Sequence, residues 1–331
     1  LRQRPRTTHR HAGHHCDHAP SEPVTPSPRM RIAHISDLHL LSSERIPPHR
    51  LVGKRFTGWV NIRFRRGAIH KRPIAQAVAR EIRALDVDHV VVTGDCTNLA
   101  LESEFELVRS YLENDLGMPP EQVSLVPGNH DAYTRGAFKS RRFQCYLGEY
   151  ITSDLPGGSG VPGIGRFPYV RLRGEVAIIG LSSAVPRMPI VASGEIGAPQ
   201  RMALHALLSH EEVKSRFPVI LQHHPWHQPP SAKKRFLQGL ADAEAEQEIL
   251  RDVPRGLLLH GHLHRRVHRV LETTEGHIDE VGATSASLLH EDEDRMSGFN
   301  LYEIADGDVS VSALRLDPAT EQFVPATVPR H

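Results

Sequence analysis

Between residues 31 and 266, short apolar runs alternate with stretches in which apolar residues recur every three or four positions. A short apolar run reads as a buried strand, and the wider spacing reads as a helix with one buried face. Strands are predicted at Ile32–Ser36, Val90–Val92, Val123–Val126, Val176–Leu181, Val219–Leu221 and Leu257–Leu259. A helix is predicted over 73–85, opened by Pro73, with Ile74, Val78, Ile82 and Leu85 on one face. Further helices are predicted over 103–116, near 134–147, over 199–209 and over 239–252. Ser103 with Glu106 has the spacing of a capping box for the first of these. Residues 154–168, rich in Gly and Pro, read as a surface loop. After residue 266 the pattern turns to β-type segments at 276–287, 298–304 and 308–315, and no internal repeat is seen.

Strand–helix alternation predicts an α/β fold in which helices cover a sheet. Composition adds little beyond excluding classes. Apolar residues make up 39% and charged residues 24%, a globular balance. Lys and Arg number 40 against 39 Asp and Glu, so the chain as a whole is no basic nucleic-acid binder. No run of 18 apolar residues occurs, so no transmembrane helix is expected. Three Cys (Cys16, Cys96, Cys145) and no apolar leader suit a reducing, cytoplasmic setting. Residues 1–29 hold five Pro, five Arg and five His, with only Leu1 and Val24 as large aliphatics. Such a segment cannot offset its ordering entropy. The expectation is a disordered tail over 1–29, with Met30 as a natural start, and one domain over 30–331.

The polar residues fall where the apolar runs stop. Asp37-Leu38-His39, Gly94-Asp95, Gly128-Asn129-His130-Asp131, His223-His224-Pro225 and Gly261-His262-Leu263-His264 each follow a predicted strand. Open α/β sheets bind ligands at the carboxyl ends of their strands. Asp, Asn and His without Cys suit Mn, Fe or Zn. If the strands run on, Asp37 and His39 project to one face, as do His262 and His264. Seven such donors exceed the three or four of one zinc site and suit two metals sharing a carboxylate.

These five blocks, in this order, resemble the pattern of the calcineurin-like metallophosphoesterases: D-x-H, G-D, G-N-H-D/E, a His, and G-H-x-H. The resemblance covers roughly residues 31–290 and is nearest to the cyclic-nucleotide and glycerophosphodiester phosphodiesterase branch. It implies a four-layer α/β/β/α sandwich with a dinuclear metal site at the carboxyl ends of the strands. It also implies that Asp37, His39 and His264 hold one metal ion, and that Asn129, His223 and His262 hold the other. Asp95 would bridge them. The two ions would be divalent or trivalent Mn, Fe or Zn. His130 would contact the phosphate and act as general acid, with Asp131 orienting or charge-tuning it. A metal-activated water would attack phosphorus in line. The expected activity is phosphoester hydrolysis of the phosphodiesterase kind. The alternatives are a lipid-linked phosphate or pyrophosphate, a phosphomonoester, or a non-catalytic scaffold of the same fold. Cys96 follows Asp95 where small aliphatic residues are common, and reads as a buried apolar substitute or, alternatively, as a redox-sensitive thiol. Asn98 is expected to support its loop, and His34, His224, His227 and His260 to be structural.

Charge is uneven along the chain. Residues 41–72 hold nine Lys or Arg and one acidic residue, interleaved with Phe56, Trp59, Val60, Ile62 and Phe64. Three readings fit: a helix or loop packed on the domain, contact with an anionic membrane surface, or nucleotide binding through Arg and aromatic rings. Of the partners, a phosphoester substrate is expected, an anionic membrane surface through 41–72 is one open alternative, and nucleic acid is not expected.

Overall fold

A computed structural model describes residues 29–42, 46, 54–61, 70–155, 161 and 165–331. The tail expected over 1–29 lies, but for Arg29, outside the described residues, as does much of the basic segment and part of the 154–168 loop. Twelve strands form two six-stranded sheets. The first has the order β12-β11-β10-β1-β2-β3, from Gln322–Ala326, Asp308–Asp317, Gly298–Ala305, Met30–Ile35, His89–Val92 and Val123–Leu125. The second has the order β4-β5-β6-β7-β9-β8, from Tyr169–Arg173, Val176–Gly180, Phe217–Leu221, Arg255–His260, His277–Gly282 and Val267–Glu272. β1, β2 and β3 are parallel, as are β5, β6, β7 and β9, while β10 runs antiparallel to β1.

Side-chain alternation shows how the sheets are covered. Val176, Ile178, Val219, Leu221, Leu257 and Leu259 join the large core shared with the first sheet. Their neighbours Ala177, Ile179, Ile220 and Leu258 join a second core. There they meet Leu204 and Leu207 of helix Ala198–Leu208 and Leu250 of helix Ala243–Leu250. Helices Arg72–Ala84 and Glu102–Ser110 bury Val78, Ile82, Phe105 and Val108 in the large core. Period-two burial on both faces of a sheet demands cover on both sides, and the result is the expected four-layer sandwich.

The segments after residue 266 complete both sheets: β8 and β9 close the second, and β10 to β12 extend the first. Two local expectations change. Helix Glu102–Ser110 is capped by Glu104, whose carboxylate accepts from the backbone N–H of Leu99 and Leu101, and not by Ser103 with Glu106. The helix also widens into a π-helical turn over Tyr111–Leu116, closed by Gly117. In the basic segment, helix Lys54–Asn61 rests Trp59 against the core, and Arg55 donates to the carbonyls of Leu99 and Ala100. Phe56 of this helix is exposed. No helix of the described residues is long and apolar enough to cross a membrane.

Candidate metal centre

Every predicted donor lies just past a strand end, and the loops of both sheets meet there. Asp37 and His39 follow β1, Asp95 follows β2, and Asn129 and His130 follow β3. His223 follows β6, and His262 and His264 follow β7. A bridge between Ser36 and Ser285 joins the two sheets beside them. The strands do not run on through the donors. Asp37, His39, Asp95, His262 and His264 all take left-handed backbone, with φ between 44° and 67°. Non-glycine residues rarely adopt it, and its concentration here marks loops bent to aim side chains inward. Strand alternation therefore does not account for the D-x-H and H-x-H pairs. The bend does, held by Asp37 N–H to Gly94 O and His39 N–H to Asp95 O, both 2.9 Å.

The glycines of the motifs serve close approach. Gly94 has φ of 91°, and a Cβ there would crowd the Gly128 backbone and His223. A Cβ at Gly128 would overlap the Asp95 carboxylate. That contact lets Asp95 Oδ1 accept from His130 N–H at 2.7 Å while Oδ2 turns into the centre. Oδ2 lies 3.5 Å from His223 Nε2 and 3.9 Å from His39 Nε2. Asp95 thus faces one histidine of each implied set, as a bridging carboxylate must.

Hydrogen bonding indicates what the centre can hold. His223 Nδ1 faces the Thr93 carbonyl at 2.7 Å, so the proton belongs on Nδ1. Its Nε2 then faces two acceptors, Asn129 Oδ1 at 3.2 Å and Asp95 Oδ2 at 3.5 Å. Three lone pairs converge, an arrangement that a cation or an added proton would reconcile. The other half repeats the pattern. His39 Nε2 and His264 Nε2 lie 3.3 Å apart, and Asp37 Oδ1 lies 3.0 Å from His264 Nε2. Asp37 Oδ2 is taken by Ser36 Oγ and His262 N–H, which leaves the buried Oδ1 facing His264. His262 turns Nε2 to the Gln238 carbonyl at 3.0 Å, which leaves Nδ1 for an ion. The donor set fits two cations that favour imidazole and carboxylate.

The protonation balance says the same. Burial pushes Asp37 and Asp95 up, but the facing imidazoles, His264 for Asp37 and His223 for Asp95, outweigh it and hold both carboxyls low. Burial opposes charge on His223, yet Asp95 and Asp37 push it up to about 9. His262, buried and beside His223, falls to about 3.

His130 lines a cavity of about 580 Å³ that opens on Asp95, Asn129, His262 and His264. Its Nδ1 is 2.7 Å from the Asn98 carbonyl, and its ring stacks on Tyr133 at 5.2 Å. Asp131 does not hold this ring. Its carboxylate accepts from the N–H groups of Cys96, Thr97 and Gly128 and from Thr97 Oγ1. Asp131 ties the G-D loop to the G-N-H-D loop, and the Asn98 carbonyl does the orienting. Asn98 also donates to the carbonyls of His39 and Leu40, the loop support expected of it. Cys96 is buried in the core, and burial, then Asp131, pushes its thiol well up, as the apolar reading requires.

Of the histidines taken as structural, His34 and His224 use both ring nitrogens within the fold. His34 meets Tyr302 and Thr93. His224 meets Ser183 Oγ and the Ala192 carbonyl, each at 2.8 Å. Sequence reasoning missed His70, which stands beside His39 and His264. It lies at the end of the basic segment and in no motif block, so only its place just before helix Arg72–Ala84 could have drawn notice.

Comparison with known proteins agrees with this geometry. The family described as calcineurin-like phosphoesterase matches residues 30–266. A dimetal phosphatase from Danio rerio superposes with a TM-score of 0.57 at 15% identity, covering 92% of this chain and 100% of that one. A purple acid phosphatase, PPD1 from yellow lupin (Lupinus luteus) seeds, superposes with a TM-score of 0.58 at 12% identity, covering 90% of this chain and 53% of that one. At such identities the likeness is one of fold. No curated protein sequence matches the chain. The motif order read from the sequence, the two facing sheets and the match over 30–266 agree: the chain belongs to the calcineurin-like phosphoesterase family.

Proposed function

We propose that this metal-dependent phosphoester hydrolase acts on a phosphodiester, with two ions drawn from Mn, Fe and Zn. The observation behind the diester reading is the cavity. At about 580 Å³ it has room for a substituent on each side of a phosphorus atom set at the donors. Arg265, Arg269 and Arg295 also line it and supply positive charge for a negatively charged substrate.

Asp37, His39 and His264 would hold one ion, Asn129, His223 and His262 the other, and Asp95 both. Bound there, the pair would acidify water and neutralise charge on phosphoryl oxygens. The chain does the rest. Left-handed loops pre-set the donors, so little rearrangement precedes substrate binding. The Asn98 carbonyl holds His130 Nδ1–H, so Nε2 is the atom offered to the phosphoester. A protonated His130 donates from Nε2 to the departing alkoxide.

The test uses purified protein loaded with each metal in turn. Bis(p-nitrophenyl) phosphate should be hydrolysed faster than p-nitrophenyl phosphate, and Asp95→Asn should lose bound metal and both activities. A preference for the monoester would overturn the diester reading. An active, metal-replete Asp95→Asn would overturn the site.

A further inference from the structure

We propose that His70 is a further ligand at the ion position formed by Asp37, His39 and His264, supplied by the end of the basic segment. The inference rests on the two-ion reading and adds a donor that no motif block contains.

Three observations carry it. First, His39, His70 and His264 each offer a ring nitrogen, and these atoms lie within 4.8 Å of one another. Ligands about 2.1 Å from a common ion lie at most about 4.2 Å apart, so small side-chain shifts bring all three onto one ion. Second, the rings converge as ligands do. The His70 ring lies 4.6 Å from that of His39 and 5.5 Å from that of His264, edge to face with each. Third, His70 has the bracing typical of a metal-bound imidazole. Its Nδ1 meets Ser287 Oγ at 2.8 Å and Ser285 Oγ at 3.3 Å, the kind of outer hydrogen bond that fixes the ring of a ligating histidine. Ser285 Oγ also donates to the Asp37 carbonyl at 2.6 Å, so one loop braces both sides of the position. The backbone is fixed as well, by a bridge from His70 to Leu288 and by Lys71 N–H to Ser287 O.

His224 makes the contrast. It stands beside His223 and His262 much as His70 stands beside His39 and His264. Its two nitrogens are held by Ser183 and the Ala192 carbonyl, so it is read as packing the second position. The two ion positions are therefore unequal. One has three imidazoles, Asp37 and the shared Asp95. The other has two imidazoles, Asn129 and Asp95. Nitrogen-rich donors favour Zn or Fe over Mg at the first.

The experiment is calorimetric titration of the metal-stripped chain with Zn²⁺ or Mn²⁺. Wild type should bind two ions. His70→Ala should weaken one of them by about 10–100-fold and leave the other unchanged. His70→Gly should regain affinity when free imidazole is added, which a merely structural role would not produce. Thermal unfolding in chelator separates this from misfolding, since both variants should unfold near the wild-type temperature. Should either variant fail to fold, His70→Gln is titrated in its place, with the same loss expected. Two ions bound by the variants with wild-type affinity would overturn the role of His70. Failure of wild type to bind two ions would overturn the two-ion reading itself.

Discussion

His130 is held from behind by a backbone carbonyl, and this limits what its ring can do. With Nδ1–H committed to Asn98 O, the ring can donate from Nε2 only as imidazolium. Removing it should therefore matter most when the leaving oxygen needs a proton. For His130→Ala, we expect a rate loss of about 10²–10⁴-fold on a diester with an alkyl alkoxide leaving group. The loss should be much smaller when p-nitrophenolate leaves, and bound metal should be unchanged by elemental analysis. Equal losses for both substrates would reduce His130 to a phosphate contact. Loss of metal would make it a ligand. The candidate donors could be read from the motif blocks, because metal chemistry calls for those residue types. Their backbone conformation could not. Asp37 and His39 invite a strand reading, and the left-handed bend follows from contacts between the β1 and β2 loops, which are distant in sequence.

At the scale of elements, the carboxylate of Asp131 gathers three loop N–H groups and one hydroxyl. A buried N–H left without an acceptor costs about 1–3 kcal/mol. Asp131→Ala should accordingly destabilise the chain by about 3 kcal/mol or more in urea unfolding. Because Asp131 does not touch the His130 ring, Asp131→Asn should leave the pH profile of kcat/KM in place. A moved acid limb would restore the charge-tuning role. The missed elements share a cause. β4, β8 and β12 are all edge strands, and each mixes charged, polar or Pro residues among its apolar ones: Arg171 and Arg173, Arg269 and Glu272, Gln322 and Pro325. Such residues, some of them buried and bonded within the fold like Arg171, erase the apolar run that marks a strand. Central strands such as β2, β6 and β7 are buried on both faces, so their apolar runs identified them. Helix Ala232–Gln238 was also missed, since all seven of its residues lie partly or fully exposed and it has no buried stripe to set a period. Its last carbonyl nonetheless orients His262.

The whole molecule has a pH dependence apart from the metal centre. Glu246 is fully buried in the second half of the sandwich, and burial, then Asp242, pushes its carboxyl up to about 8. An unfolded glutamate ionises near 4.3. Between about 4.5 and 8 the native chain keeps a proton that the unfolded chain has released, so stability falls as pH rises through that window. Glu246→Gln removes this slope. The variant should match wild type at pH 4.5 and exceed it at pH 7 by on the order of 1–3 kcal/mol in urea unfolding. An equal difference at both pH values would refute the assignment.

The topology also orders events in time. The second sheet is one continuous stretch from β4 to β9, whereas the first is split, with β1 to β3 made early and β10 to β12 made last. During synthesis, the second sheet can assemble on the ribosome while β1 still waits for its β10 neighbour. Each implied ion takes donors from both sheets: Asp37 and His39 with His264, and Asn129 with His223 and His262. A growing chain therefore has no complete cage to offer until His264 has been made. Cation capture would then follow the meeting of the two halves, a clasp fastened across them, and a chain cut short of His264 would lack it.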